Sequence, residues 1–195
     1  IEATETVKVT DISELVTGAN NIANIKNNPE AKITEVSSYY NDEYTIDNAG
    51  VAIDGSIASG EGSDVAIRTA GGQEASVVLD LGNSYIPSQF EKLVLAYSNP
   101  RTYASDTKVE FSLDGEKYTT VAESTGYTCK KDNAGTADLN IIDLDLKDYA
   151  EAGVRYVKVS LSGGSNGWGY VINEIGVGLN VTVDDAKVYT KKTPV

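Results

Sequence analysis

The sequence predicts an all-β fold, an antiparallel β-sandwich or barrel, and three observations lead to this prediction. Val, Ile and Tyr dominate short segments that Gly, Asn, Asp, Ser and Thr separate, which is typical of strands joined by turns. These segments follow one another at roughly even spacing, without long helices between them. Helical periodicity is weak, and residues 11–16 and 147–152 suffice for a turn or two each.

The predicted strands are clearest from the middle of the chain onward. Val109, Phe111 and Leu113 share one face of a strand, and the Asp114-Gly115 pair that follows is a strong hairpin signal. In chain order the predicted strands cover residues 76–81, 92–97, 107–113, 117–121, 139–146, 154–161 and 170–179, with 181–189 as an extra candidate.

Length and charge limit the classes of partner. A chain of 195 residues fits one domain and buries enough surface to need neither a disulfide nor a metal for its core. The 16 basic residues are outnumbered by 29 acidic ones, so the net charge of -13 repels phosphate backbones and anionic lipid surfaces. No stretch approaches the ~18 apolar residues of a membrane helix. We therefore expect neither nucleic acid binding nor membrane insertion.

The residue types present argue against catalysis. The chain contains no histidine, which excludes Ser-His-Asp triads and the usual zinc sites. Cys129 has neither a disulfide partner nor a histidine to activate it, so we interpret it as a loop residue. Asp143 with Asp145, and Asp184 with Asp185, are candidate glycosidase pairs, but chance pairs are expected among so many acids. The chain is expected not to be an enzyme.

Four segments, in the right order, together resemble the discoidin-like family, also called the coagulation factor 5/8 type C family. The resemblance implies an antiparallel jelly-roll sandwich of the galactose-binding-domain type. One departure is Ser59-Gly-Glu61, which stands where family members often carry Thr-Arg-Trp. The four segments are Asn21-Ile-Ala23 with Val51-Ala-Ile-Asp-Gly55, Val77-Val-Leu-Asp-Leu-Gly82, Val109-Glu-Phe-Ser-Leu-Asp-Gly115, and Val154-Arg-Tyr-Val-Lys-Val159 with Gly169-Tyr-Val-Ile-Asn-Glu-Ile-Gly-Val177.

The resemblance also sets the expected domain organisation. Residues 20–180 are expected to form the sandwich. Residues 1–19 are expected to be a linker, an extra strand or a short helix, and residues 181–195 a C-terminal strand or a linker to a following module. We expect a secreted or cell-surface protein, bacterial in origin, with neighbouring modules in the same polypeptide and a glycoside hydrolase as a candidate neighbour.

The resemblance further implies a structural calcium ion between the Ala-x-Asp-Gly loop and the glutamate of the last strand. Calcium takes six to eight oxygen ligands from carboxylates, hydroxyls and carbonyls, and Gly55 permits a tight loop. The alternative is an ordinary turn, with the glutamate on a solvated strand face. The implied ligands are Asp54, Ser56 and Ser59 in the loop, with Asn173 and Glu174 opposite.

In the family the ligand site lies in loops at one end of the sandwich. A sugar site needs an aromatic face for C–H bonds and fixed donors and acceptors for hydroxyls. Arg101 and Asn99 offer hydrogen bonds, while the alternatives for Tyr103 and Trp168 are stacking on sugar or packing on the core. The candidate glycan-binding residues are Asn99, Arg101, Tyr103, Asn166, Trp168 and Tyr40.

The predicted function is a non-catalytic carbohydrate-binding module whose partners are glycans. One alternative is a protein- or lipid-binding adhesion domain on the same fold, which ranks lower because the loops are polar and the charge is negative. A second alternative is a structural spacer, whose sign would be the joint burial of Trp168, Tyr103 and Tyr40.

Overall fold

The computed structural model describes residues 14–57, 67–131 and 137–191. The predicted ligand Ser59, and residues 1–13 and 192–195 of the predicted flanking segments, therefore lie outside the described residues. In chain order the elements are helix α1 Glu14–Thr17, strand β1 Lys32–Val36, helix α2 Ile46–Ala49, a 3₁₀ helix Gly50–Ile53, β2 Ile67–Arg68, β3 Ala75–Tyr85, a 3₁₀ helix Pro87–Gln89, β4 Phe90–Tyr97, β5 Asp106–Ser112, β6 Thr119–Ser124, β7 Asp138–Asp143, β8 Val154–Ser162, β9 Val171–Ile172, β10 Glu174–Leu179 and a 3₁₀ helix Val183–Asp185.

The strands form a five-stranded sheet, β1-β3-β8-β5-β6, a three-stranded sheet, β10-β4-β7, and a short β2-β9 pair. Every paired strand runs antiparallel to its partner. In β8, Val157, Val159 and Leu161 are buried, whereas Lys158 and Ser160 alternate with them and are less buried. The antiparallel sandwich prediction is confirmed.

The core lies between the two larger sheets. All six residues of β10 are buried although β10 is an edge strand, because Asn21 bridges to Gly178 on its free edge and helix α1 packs against it. Phe90 of β4 and Phe111 of β5 meet edge to face with 5.1 Å between ring centroids, which joins the two sheets. The core thereby anchors β4, whose C-terminal end leads into one of the loops described below.

Several predicted strands have different bounds in the structure, and two of these differences have a clear local cause. The predicted strand 170–179 is interrupted at Asn173, because β9 pairs with β2 whereas β10 pairs with β4. The hairpin after β5 is wider than predicted because the Asp114 carboxylate accepts hydrogen bonds from the Glu116 and Lys117 N–H groups, both at 2.9 Å. This Asx turn delays the start of β6 to Thr119.

Two further differences concern the ends of the sandwich. Strand β1 was not predicted, because a bulge between Ile33 and Glu35 breaks the alternation of apolar side chains. Residues 181–189 form no continuous strand, since they contain a 3₁₀ helix and a single bridge from Val188 to Tyr85.

The described flanks of the sandwich lie against it. Leu15 and Val16 of α1 are buried and pack on Val94 of β4. Lys187 accepts a hydrogen bond from the Gln89 side chain and donates one in return, at 2.8 and 2.7 Å. Within the part of the chain that the structure describes, no helix is long and apolar enough to cross a bilayer.

Candidate functional site

Three loops converge at one end of the sandwich: residues 69–74 before β3, 98–105 after β4 and 163–170 after β8. Backbone hydrogen bonds tie them together. Tyr103 and Ser165 exchange two N–H···O bonds of 2.9 and 3.0 Å. Gly72 donates its N–H to the Asn166 carbonyl at 2.9 Å. The loops therefore form one hydrogen-bonded surface.

Trp168 projects from this surface into solvent, with 59% of the residue exposed. The backbone beside it is constrained. Gly169 has a φ of +83°, and a Cβ there would lie 1.9 Å from the Thr69 carbonyl oxygen, so only glycine fits. The close approach of the two loops holds the Trp168 backbone in place while the indole stays accessible. An exposed indole on a fixed backbone can stack on a flat ligand.

Arg68, which the sequence analysis missed, connects Tyr40 to the Trp168 loop. Its guanidinium carbon lies 3.6 Å from the centroid of the Tyr40 ring. Its Nε donates a 3.0 Å hydrogen bond to the Trp168 carbonyl, and its Nη1 donates to the Tyr44 hydroxyl at 3.3 Å. Tyr40 thus stands beside the loop that carries Trp168. The sequence pattern does not predict this contact, because strand β2, which carries Arg68, is only two residues long.

The other predicted glycan-binding residues lie in the 98–105 and 163–170 loops. The Arg101 side chain is exposed, and its guanidinium has no hydrogen-bond or ion-pair partner among the described residues. Asn99 accepts the Arg101 backbone N–H on Oδ1 at 2.8 Å. The Asn166 amide donates to the Gln73 carbonyl at 3.1 Å. Arg101 is therefore the residue of this group that offers free donors.

Tyr103 is partly buried and packs against other aromatic rings. Its ring centroid lies 6.5 Å from that of Tyr97 and 5.9 Å from that of Tyr127, edge to face in both pairs. This matches the interpretation of Tyr103 as a half-packed turn residue better than that of a stacking platform. Tyr170, one loop further on, is fully buried in the core.

The candidate metal site lies at the same end, because Glu174 pairs with Ala96 just before β4 ends. Glu174 is fully buried, so the alternative that places it on a solvated face is wrong. Its Oε1 accepts the Gly55 N–H at 2.8 Å, but its Oε2 has no hydrogen-bond partner among the described residues. Burial raises the pKa of Glu174 to about 9, and the nearby Asp54 carboxylate adds to the rise.

The loop opposite Glu174 presents oxygen atoms. Asp54 accepts the Ser56 N–H at 2.8 Å, and Gly55 has a φ of +80°, which forms the tight turn. Asn173 is buried, and its Oδ1 has no partner among the described residues. The buried Oε2 of Glu174, which lacks a partner among the described residues and lies near the Asp54 carboxylate, suits an oxygen-seeking cation.

Cysteine and histidine do not contribute to this site. Among the described residues, no group of three or more His, Cys, Asp or Glu side chains stands close enough to hold a metal ion. A calcium ion here would therefore need backbone carbonyl or hydroxyl oxygens in addition to the carboxylates of Asp54 and Glu174. The predicted ligand Ser59, and the Ser59-Gly-Glu61 departure, lie outside the described residues.

The sequence matches no family model and no curated protein. Solved structures do match. The module CBM32-3 from a family 31 glycoside hydrolase of Clostridium perfringens is 15% identical, with a TM-score of 0.53, over 78% of this chain and 92% of that one. CBM32-5 from Clostridium perfringens, solved in complex with GalNAc-β-1,3-galactose, is 19% identical, with a TM-score of 0.51, over 77% and 96%.

An enzyme also shares the fold over part of its length. Allantoicase from Saccharomyces cerevisiae is 17% identical, with a TM-score of 0.51, over 80% of this chain but only 42% of that one. At sequence identities this low, structural similarity shows a shared fold but does not identify the ligand. The discoidin-like resemblance is thereby confirmed for the fold: this chain has the galactose-binding-domain-like β-sandwich fold of the CBM32 modules.

Proposed function

We propose that this chain is a non-catalytic carbohydrate-binding module that binds glycans at the loop end around Trp168. The single observation that carries the proposal is the exposed indole, held on a loop that hydrogen bonds fix to its neighbours. Arg68, stacked on Tyr40, contacts the Trp168 carbonyl, and the same loop contacts Arg101, whose guanidinium has no partner among the described residues. An aromatic face flanked by directional donors is what a sugar ring requires.

The comparisons support the same proposal. Two structural neighbours are CBM32 modules, and one of them is in complex with GalNAc-β-1,3-galactose. The spacer alternative loses support because its sign was the joint burial of Trp168, Tyr103 and Tyr40, whereas Trp168 is 59% exposed. Lipid binding fits poorly with the net charge of -13, which repels anionic lipid surfaces.

The candidate catalytic pairs do not resemble a glycosidase site. Asp143 forms an ion pair with Lys92, and Asp145 lies 3.6 Å from the Lys147 ammonium, both at exposed positions on the protein surface. Asp185 accepts the Thr182 hydroxyl at 3.2 Å beside a 3₁₀ helix. A glycosidase needs two carboxyl groups on either side of a bound sugar. These contacts favour a binding role, with any hydrolysis performed by a neighbouring module of the parent protein.

The proposal includes a structural calcium ion, held by Asp54, Glu174 and oxygens of the 54–56 loop, with Asn173 adjacent. Its support is the buried Oε2 of Glu174, which lacks a partner among the described residues. The ion would link this loop to the first residue of β10 and neutralise two adjacent carboxylates. The proposed setting is a secreted or cell-surface bacterial protein in which this module accompanies others.

The test is a glycan-array screen of the folded chain in calcium-containing buffer, repeated with Trp168→Ala and Arg101→Ala. The matched control is Lys117→Ala, an exposed residue on the β5–β6 turn. We expect selective binding by the native chain and the control, with at least a ten-fold weaker signal in both site variants. A blank array from a folded, calcium-loaded chain would refute glycan binding and favour a protein ligand.

A further inference from the structure

One cavity of the described structure does not belong to the loop site. It is an open groove of about 560 Å³ on the outer face of the five-stranded sheet. Its volume falls within the range of about 300–1,000 Å³ that small-ligand sites occupy. The groove lies where β3 and β5 begin and β8 ends, immediately next to the loops that carry the proposed glycan site.

The register of the strands explains why a groove forms there. Ser76 pairs with Ser160, Ser160 with Lys108, and Lys108 with Glu123, so these four side chains form one row across four strands. The serines on the two neighbouring strands β3 and β8 are short, whereas Lys108 and Glu123 toward the sheet edge are long. Small side chains at the centre and long ones at the margin leave a trough.

The serines of the groove have free hydrogen-bonding capacity. Among the described residues, the hydroxyls of Ser76, Ser160 and Ser162 form no hydrogen bond. Hydroxyls on adjacent strands are about 4.8 Å apart, and those two residues apart on one strand about 6.6 Å. Each can donate one hydrogen bond and accept two. A ligand with closely spaced hydroxyl groups can satisfy such an array.

The charge of the groove favours a neutral ligand. Its lining carries the two ammonium groups of Lys108 and Lys158 and the three carboxylates of Glu74, Asp106 and Glu123. The near balance contrasts with the net charge of -13 of the whole chain. Three carboxylates would repel a polyanion, and two ammonium groups would repel a cationic chain.

The sheet also disfavours a peptide. The backbone N–H and C=O groups of β3, β8 and β5 are already paired within the sheet, so a peptide backbone would find only side chains to bind. Apolar residues in the lining are limited to Ala75 and Leu161, so an apolar segment gains little there. A chain of sugar hydroxyls avoids both problems.

We propose that this serine groove is a second glycan-binding site, separate from the loop site, which takes an extended neutral oligosaccharide. It goes beyond the function proposed above because it needs neither Trp168 nor the calcium ion. The two sites together let one module contact two segments of a polysaccharide, which raises the apparent affinity by multivalency.

The test is an NMR titration of the ¹⁵N-labelled chain with cellohexaose, chitohexaose, maltohexaose and β-1,4-galactohexaose. Hexagalacturonate serves as the charged counterpart. We expect at least one neutral hexasaccharide to shift the amide resonances of Ser76, Lys108 and Ser160, and the hexagalacturonate to leave them unchanged. Silence of these resonances with all four neutral sugars would overturn the proposal, as would a stronger response to the uronate.

Variants separate this site from the loop site. Ser160→Gln and, independently, Ser76→Gln fill the groove and should weaken the groove response at least ten-fold. Thr120→Gln, an exposed strand residue outside the lining, is the matched control and should have no effect. Trp168→Ala should abolish binding at the loops but preserve the groove shifts. Loss of the groove shifts in Trp168→Ala would contradict a separate site, whereas a silent groove with an intact loop response would leave the proposed function standing.

Discussion

Arg68 occupies the position where two loops far apart in the sequence meet. Its guanidinium packs on Tyr40 and donates to the Trp168 carbonyl, so one side chain positions both aromatic residues of the proposed site. A planar guanidinium can stack and donate at the same time, whereas an ammonium group has no planar face to stack. Arg68 therefore acts on the site through the residues that it holds.

We predict that Arg68→Lys weakens glycan binding nearly as much as Arg68→Ala, despite the retained charge. The cation–π contact and the hydrogen bonds contribute about 1 kcal/mol to folding at a partly exposed site. Both variants should therefore fold, with a modestly lower free energy of unfolding. Urea denaturation gives that change, and calorimetric titration with the best array ligand gives the affinity. Full affinity in Arg68→Lys would show that charge alone matters.

Glycines in the Trp168 loop allow a second prediction at the residue scale. Gly169→Ala forces a Cβ against the Thr69 carbonyl at a positive φ. We therefore expect the free energy of unfolding to fall by about 2 kcal/mol or more, and glycan binding to be lost. Gly167→Ala is the control, since nothing lies within 4 Å of a Cβ there. Thermal unfolding and array binding measure both effects. Equal behaviour of the two variants would mean that the loop relaxes freely.

At the scale of elements, β10 begins at the proposed calcium ligand. The pKa of Glu174, raised by burial to about 9, means that the metal-free fold favours the protonated carboxyl. Its contribution to stability is complete below the unfolded pKa of about 4.3 and is lost as the pH rises toward 9. Calcium binding needs the ionised form, so the ion should bind more tightly at higher pH.

We therefore predict that calcium raises the thermal unfolding midpoint, by more at pH 8 than at pH 5. The comparison uses scanning calorimetry with calcium chloride against a chelator at each pH. Glu174→Gln should remove both the calcium response and the fall in stability of the metal-free chain between these pH values. A midpoint that ignores calcium at pH 8 in the native chain would refute the metal site.

Elements also show how far the sequence determines the fold. Strands β3, β4, β5 and β8 are predictable because their apolar side chains alternate or run continuously between turn signals. Strand β1 is not, since its bulge breaks the period, and β2 is too short to show one. Short strands depend on partners that arrive from distant parts of the chain, which local pattern cannot reveal.

The candidate sites divide in the same way. The sequence singles out Trp168 and Arg101 by residue type, but Arg68 becomes visible only when β2 meets the 163–170 loop. Tyr103 has the residue type of a binding residue, but the structure shows its ring packed against other rings. Tyr127 comes from a distant part of the chain and Tyr97 lies in the core, so the sequence does not reveal these contacts. The serine groove depends on strand register, which the sequence leaves open.

At the scale of the whole molecule, an ion pair within the five-stranded sheet links stability to acid. Burial alone would raise the pKa of Asp80, but hydrogen bonds from Arg155 at 2.9 Å and from the Gly82 N–H outweigh it, so this pKa lies below its usual value. The pair therefore stabilises the fold above the unfolded pKa of about 4 and ceases to do so as the pH falls further.

We predict that Asp80→Asn lowers the free energy of unfolding at pH 7 by about 2 kcal/mol, because a nearly buried carboxylate and its partner are separated. The difference from the native chain should shrink between pH 4 and pH 2. Glu151→Gln, which removes the partly exposed partner of Lys117 at 4.0 Å, is the control and should change stability by less than about 0.5 kcal/mol. Urea denaturation across this pH range distinguishes the two.

The hydrogen bonds between the segment at Asn21 and strand β10 affect the rate at which the chain folds. The Asn21 Oδ1 accepts the Val177 N–H at 2.9 Å across a separation of 156 residues, and Ile22 bonds the Val177 carbonyl at 2.9 Å. Contacts so distant in sequence slow folding, because a long loop must close before they form. During synthesis at about 5–20 residues per second, β4 keeps one edge unpaired for several seconds until β10 emerges. This interval is when the nascent chain is most exposed to aggregation, and export in an unfolded state would extend it.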